Sequence, residues 1–249
     1  MSDGEELEEM SLFDHLSELR KRIVSSFLVL FVMTFVCFAF AEQLFLWLKQ
    51  PLDDIAGQQM VVLSPLEMFI TYLKLALLAA VFVSAPWILL QVWLFIAPGL
   101  YASEKKWVVP FILLGTMFFI GGGAFGFYIV IPNAFDFLTT MVPETVQANY
   151  SVELYFSLVT RLLLAFGIVF ELPLVMWILS AAGIVDPNIY AKLRKYWVVC
   201  AVVLGAMLTD PSPLTQALMA GPLIIFWELG IIGGRLLYRR RERAAAKAS

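Results

Sequence analysis

One histidine and two cysteines in 249 residues leave little from which to build a metal or redox centre. His15 stands alone near the N-terminus, and Cys37 and Cys200 lie in separate apolar runs with no CxxC spacing. Zinc, haem and thiol–imidazole sites therefore lack ligands, and no cofactor or metal is expected. The same scarcity removes the base that Ser–His catalysis needs, and a paired-aspartate site lacks acids in facing spans, so an enzymatic role is not expected. Charge is scarce too. Only 15% of residues are charged and 61% are hydrophobic, against roughly 25% and 45–50% in soluble domains. The chain reads as an integral membrane protein, and no nucleic-acid partner is expected. Met1 to Met10 is acidic rather than basic-then-apolar, so no cleaved leader is expected and the N-terminus starts on the side where the protein is made.

What is present is long apolar runs. A bilayer core needs about 20 apolar residues per helix. Six candidate spans run from Ile23 to Phe45, Phe69 to Ile96, Trp107 to Ile131, Leu154 to Leu179, Tyr196 to Leu208 and Leu214 to Ile232. Basic residues cluster before the first span (Arg20, Lys21, Arg22), after the second (Lys105, Lys106), after the fourth (Lys192, Arg194, Lys195) and after the sixth, from Arg235 to Lys247. The opposite connections hold only Lys49, so the positive-inside rule puts both termini in the cytoplasm. Trp93, Trp107, Trp177 and Trp197 fall near cytoplasmic ends and Trp47 near an outer one, as an interfacial belt would. The fifth span rises only about 20 Å, and the sixth begins straight after TDPSP, so the last two helices are expected to be short and to form a tight hairpin. The outer connections 43–65 and 132–151 read as an ordered cap with helical turns.

Charges in or at the edges of the spans are Glu67, Lys74, Arg161, Glu171 and Glu228. A buried carboxylate near mid-bilayer costs roughly 2.5–3.5 kcal/mol on insertion scales, so each is a functional candidate with a structural alternative. Lys74 and Arg161 either pair with acids on neighbouring helices or mark a site. Glu67 is accounted for as a first-turn acid after Ser64, and Glu228 lies within reach of the cytoplasmic interface. Glu171, in AFGIVFELPLVMWIL, lies about 12 Å from the end of its helix at Leu179, too deep to reach water. Pro173 two residues on removes a backbone donor and kinks the helix, so a polar cavity is expected beside this carboxylate. AFGFYIVIP, from Ala124, shares its spacing with AFGIVFELP, from Ala165, but the likeness does not extend and reads as coincidence. Gly122 and Gly126 fit small-xxx-small helix packing.

Two further stretches lie at the cytoplasmic face. In SLFDHLSELRKR, Ser11 and Asp14 resemble a capping box, leucines recur at helical spacing, and Asp14 and Glu18 share one helix face. FIAPGLYASEKK carries Glu104 in a turn shaped by Pro98 and Gly99. Glu18 and Glu104, on one side of the membrane, are of the type that receives guanidinium groups in bidentate geometry, though spacing alone does not bring them together.

Four stretches recur together in family order: HLSELRKR (His15 to Arg22), SAPWILLQVWLFIAPGLYASEKK (Ser84 to Lys106), AFGIVFELP (Ala165 to Pro173), and LTDPSPLTQ with FWELG (Leu208 to Gln216, Phe226 to Gly230). In these the chain resembles TatC, the polytopic receptor subunit of the twin-arginine protein translocase. The resemblance implies an all-α, glove-shaped six-helix membrane fold, read here as one domain: a lead-in at 1–22, a membrane region at 23–232 and a basic tail at 233–249. It implies recognition of twin-arginine signal peptides on folded cargo, TatA-like and TatB-like single-span partners, self-association in a larger complex, the bacterial cytoplasmic membrane as location, and the proton-motive force as driver. By motif position, Glu18, Arg20, Phe95 and Glu104 would form the signal-peptide surface. Pro51 would belong to the outer cap, Glu171 would be the intramembrane glutamate of the concave face, and Gln216 would contact partner helices. Ser212 stands where the family commonly has an aspartate, and the carboxylate comes earlier, at Asp210. The rival reading is a secondary transporter with a midplane site at Glu171 and Arg161.

Overall fold

The computed structural model describes residues 12–56, 60–96, 108–143, 149–208 and 213–248, with side chains placed for 16–53, 60–95, 108–143, 149–207 and 216–239. Helix α1 (Leu12–Phe38) runs without interruption from the amphipathic lead-in into the first span. Leu, Arg, Lys and Glu are all good helix formers, so nothing between Leu16 and Ile23 breaks the turn. A short turn then starts α2 (Ala41–Ala56), so the first crossing ends at Phe38 and not at Phe45. The second crossing is α3 (Glu67–Ile96). The third is α4 (Val108–Phe125), continued by a π-helical segment (Gly126–Val130) and α5 (Ile131–Thr140). The fourth is α6 (Val152–Phe170) followed by α7 (Leu172–Ala181); α8 (Pro187–Leu208) and α9 (Pro213–Ala248) follow.

Among the described residues five segments are long and apolar enough to cross a bilayer: Leu16–Phe38, Glu67–Phe95, Val108–Thr140, Val152–Ala181 and Gln216–Arg239. The remaining candidate, α8, carries Lys192, Arg194 and Lys195 in its first half, which leaves only Tyr196–Leu208 apolar. The shortness expected of the last two spans thus holds for the apolar part of α8, whereas the Gln216–Arg239 segment of α9 is long enough to cross. As helices they reach 22 and 36 residues, because Arg-, Glu-, Ala- and Lys-rich ends extend them beyond the membrane.

Both proline-ended AFG segments are irregular, in different ways. Proline lacks an N–H and its ring clashes with the carbonyl four residues back. Before Pro132 the helix widens into the π turn; before Pro173 it breaks at Glu171, whose N–H bonds the carbonyl of Ile168 at 3.1 Å. At the far end α7 closes on Gly183, φ 69°, with Gly183 N–H on Ser180 O at 3.1 Å and Ile184 N–H on Leu179 O at 3.0 Å. Those two bonds are the Schellman pattern that only a residue tolerant of positive φ completes cheaply.

Small residues set the helix contacts. Ala76 and Ala80 of α3 pack with Cys37 of α1, backed by Leu30 and Met33, so the two helices lie closely antiparallel. Helix α6 sits at the centre, with Phe156, Val159, Leu162 and Phe166 at most 1% exposed. Helix α9 presents Gly230 to Met176, Gly233 to the Trp177 indole and Gly234 to Ser180 of α7.

Tryptophan departs from the expected belt. Trp93 is 3% exposed, against Phe111. Trp177 donates to Leu229 O at 3.0 Å, Trp197 to Leu223 O at 3.0 Å, and Trp197 stacks on Trp227 at 4.6 Å. Helix carbonyls thus accept the Trp177 and Trp197 N–H groups, whereas the buried Trp93 Nε1 makes no hydrogen bond among the described residues. Trp47 is exposed, as an interfacial residue would be.

The end away from the basic clusters carries the cap. Helix α2, α5 and a two-residue parallel pair, Met60–Val61 with Tyr150–Ser151, build it. Tyr155 of α6 donates its phenol to Leu48 O at 2.8 Å, tying the cap to the core. Pro51 is buried inside α2 beside Leu52.

Candidate functional site

At the basic end, antiparallel packing of α1 on α3 brings the second turn of α1 level with the last turns of α3. Arg22 donates from Nη2 to Glu18 Oε1 at 2.9 Å and from Nη1 to Gln91 Oε1 at 3.4 Å. Gln91 is 5% exposed and lies one helical turn before Phe95, on the same face of α3. Sequence reading missed Gln91. Its only signal is a lone amide in an apolar run, weaker than the carboxylate at 171 because an amide is cheaper to bury. Arg20 points to the exposed side of α1 and Phe95 is half-buried. Glu104, Ser11 and the side chain of Asp14 lie outside the described residues, so the expected meeting of Glu18 with Glu104 and the capping box fall outside them too. Arg22 holds one oxygen of Glu18; the other, Oε2, carries no bond among the described residues and is open to a second guanidinium.

Within the membrane, Glu171 occupies the break between α6 and α7 and turns towards α4. Its Oε2 lies 3.2 Å from where a Cβ on Gly115 would stand, with Leu89 and Leu174 at the same spot. Both carboxylate oxygens are enclosed and make no hydrogen bond of ordinary geometry among the described residues. Two described cavities, of about 460 and 230 Å³, are apolar and lined by other residues, so neither is the polar cavity expected beside it. Glycine at 115 leaves room for the carboxylate itself, and that room is a close-fitting niche. Gln216 is half-buried and donates to Val202 O of α8 at 3.3 Å, away from Glu171. Glu228 reaches Arg194 of α8 in an exposed ion pair.

The midplane pair of the transporter reading does not form. Arg161 lies ten residues before Glu171, about 80° away around the helix, and is exposed, whereas Glu171 faces inward. Arg161 donates to Ser157 O of its own helix at 3.2 Å, and Lys74 pairs with Glu153 at 3.1 Å.

Glu67 has a larger role than a first-turn acid. At 2% exposure its carboxylate accepts from the N–H groups of Leu63, Ser64 and Glu153 and from the Ser151 hydroxyl. One acid thus caps the N-termini of both α3 and α6 and fastens the strand pair between them.

Residues 14–222 match the family model described as Sec-independent protein translocase protein (TatC). The protein of that name from Desulforapulum autotrophicum is 38% identical over 245 residues, covering 97% of this chain and 91% of its own length. The Escherichia coli K12 protein of that name is 36% identical over 226 residues, covering 90% and 88%. A crystal structure of the twin arginine translocase receptor TatC superposes with a TM-score of 0.81 at 36% identity, over 90% of this chain and 99% of that one.

Proposed function

This chain belongs to the TatC family of Sec-independent protein translocase proteins, and from that premise we propose that it is the translocase subunit that receives twin-arginine signal peptides. It is a multi-pass, all-α membrane protein of a family of translocase components. The observation that carries the proposal is the placing of Glu18 beside Gln91, one turn from Phe95: an acid, an amide and an aromatic face at the basic end, where a cationic peptide made inside the cell arrives. One guanidinium of the signal takes the open oxygen of Glu18, Glu104 takes the other, and Arg20 and Phe95 complete the surface. Arginine suits this arrangement better than lysine because its planar fork presents several donors in fixed directions, one of which the open Glu18 oxygen accepts.

The remaining assignments rest on motif position. Glu171 and Gln216 contact the single helices of TatA-like and TatB-like partners, copies of the chain associate in a larger complex, and Pro51 shapes the outer cap. The whole chain acts as one domain in the bacterial cytoplasmic membrane, moving folded cargo with the proton-motive force. It performs no covalent chemistry itself.

The test is binding of a synthetic twin-arginine signal peptide and its Lys-Lys counterpart to the purified protein in nanodiscs. Loss of one charge-assisted contact in E18A or E104A weakens the arginine peptide roughly tenfold and leaves the Lys-Lys peptide nearly unchanged. Equal binding of both peptides to the wild type and both variants, with partners present, refutes the assignment.

A further inference from the structure

Among the described residues the cap half of the membrane region holds three cations. Lys49 is neutralised by Asp53 at 2.9 Å and Lys74 by Glu153 at 3.1 Å. Arg161 has no carboxylate among those residues. It is exposed, its one bond is from Nε to Ser157 O, and both terminal nitrogens of its fork are unused. Lys74 also donates to the Ser157 hydroxyl at 2.9 Å, so an ammonium and a guanidinium meet at one serine with a single acid between them.

Helix lengths set the depth of that meeting point. Helix α3 and the α6–α7 segment each span 30 residues, about 45 Å, against a hydrocarbon core of about 30 Å. Centred, each overhangs by about 7–8 Å, which puts the boundary of the cap-side leaflet at Ser157. Lys74 and Arg161 have their Cα atoms below it, but helical side chains lean towards the N-terminus, here the cap side. The bonds to Ser157 show both heads raised to that level. Leu77 of α3 and Ile168 of α6, 46% and 62% exposed, continue the surface towards the bilayer centre as apolar flanks.

We infer that Lys74, Ser157 and Arg161 form a phospholipid site that takes the phosphate of a lipid in the outer leaflet, with the acyl chains along Leu77 and Ile168. The guanidinium fork fits a phosphate through two parallel bonds, and the surplus positive charge lies at the depth where lipid phosphates are concentrated. Glu153 competes with the phosphate for Lys74, which limits the site's affinity.

The experiment titrates the delipidated full chain in detergent with phosphatidylglycerol and, separately, phosphatidylethanolamine, and counts bound lipids by native mass spectrometry. With either lipid the first binding step weakens roughly tenfold in R161Q and less in R161K. It tightens in E153Q, a gain that a purely structural role for these residues does not produce. K195Q, which removes a cation at the other end of the molecule, binds as the wild type does. Thermal midpoints of all variants confirm that they are folded. The inference fails if R161Q keeps wild-type lipid binding or if E153Q does not tighten it. Unchanged lipid binding with loss of a copurifying membrane partner assigns Arg161 to a partner's carboxylate and overturns the lipid site.

Discussion

Adjacent glycines on α4 predict opposite outcomes for the same substitution. A Cβ on Gly122 would stand 2.4 Å from the carbonyl oxygen of Phe166 and 2.8 Å from its carbonyl carbon, both backbone atoms of α6. Ordinary contact is about 3.5 Å, so the helices must separate by about 1 Å. Phe166 and Leu162 on the facing side are fully buried and leave no slack. Overpacking of this kind costs about 1–3 kcal/mol, and the upper part of that range applies because the obstacle is backbone. Replacing glycine by alanine inside a helix returns about 1 kcal/mol, so G122A is destabilised by about 1–2 kcal/mol. At Gly121 nothing lies within 4 Å, only the propensity gain remains, and G121A is stabilised by up to about 1 kcal/mol. At Gly123 the obstacle is the Phe82 ring at 2.5 Å, which can rotate, so G123A falls between them. Equilibrium unfolding of the three variants in mixed micelles measures the order directly. Equal effects, or a G122A as stable as G121A, would refute the close approach of α4 to α6.

Three further outcomes follow from the same geometry. E171L removes an enclosed carboxyl that has no hydrogen bond of ordinary geometry, a burden of about 1–3 kcal/mol, so its unfolding midpoint stays level or rises while export of a twin-arginine reporter falls at least tenfold. A collapse of stability instead would make Glu171 a structural residue. Y155F keeps the ring against Phe135 and Phe156 but loses the phenol's bond to the Leu48 carbonyl, which costs about 0.5–1.5 kcal/mol in unfolding experiments and leaves signal-peptide binding at the basic end unchanged. R194Q and E228Q, separately or together, shift stability by less than about 1 kcal/mol, because both partners of this ion pair are substantially exposed.

Hydropathy alone located the crossings, since a run of about twenty apolar residues suits a membrane helix and little else. It misplaced their ends for one reason: helices do not stop where the membrane does. Glu, Arg, Lys and Ala carry α1 back to Leu12 and α9 on to Ala248. The kink at Pro173 was legible because the ring's clash is local. The form of the irregularity was not, as the same AFG-to-proline spacing gives a break at Glu171 and a π turn at Gly126; the surrounding packing decides between them. Small-residue packing at Gly122 and Gly126 was legible as a pattern, whereas its partner, Phe166, was not. Glu67 and Tyr155 show why. Beyond the local Leu63 and Ser64 bonds of Glu67, their partners lie 84 to 107 residues away, and no periodicity in a single sequence records contacts across that distance. At the basic end Glu18 was legible as a charge, but Gln91 became visible only when α3 was laid against α1.

The polar groups of this chain therefore divide by whether the protein itself satisfies them. Glu67, Tyr155, Trp177 and Trp197 have their partners inside the fold, and each joins two separate elements. Glu171, Thr116 and Thr160 are enclosed without side-chain hydrogen bonds of ordinary geometry, and Arg161 is exposed with most of its donors unused. In water such groups would be solvated at no cost; at membrane depth each costs free energy until another molecule answers it. A fold assembled only for stability would have filled these positions with leucine. Among the described residues the cap is instead tied together around Glu67, whose carboxylate joins α3, α6 and the strand pair. If the proposed partner contact at Glu171 and the lipid site at Arg161 hold, these are the groups that another molecule answers, and E171L and R161Q then change export and lipid binding without loss of the fold.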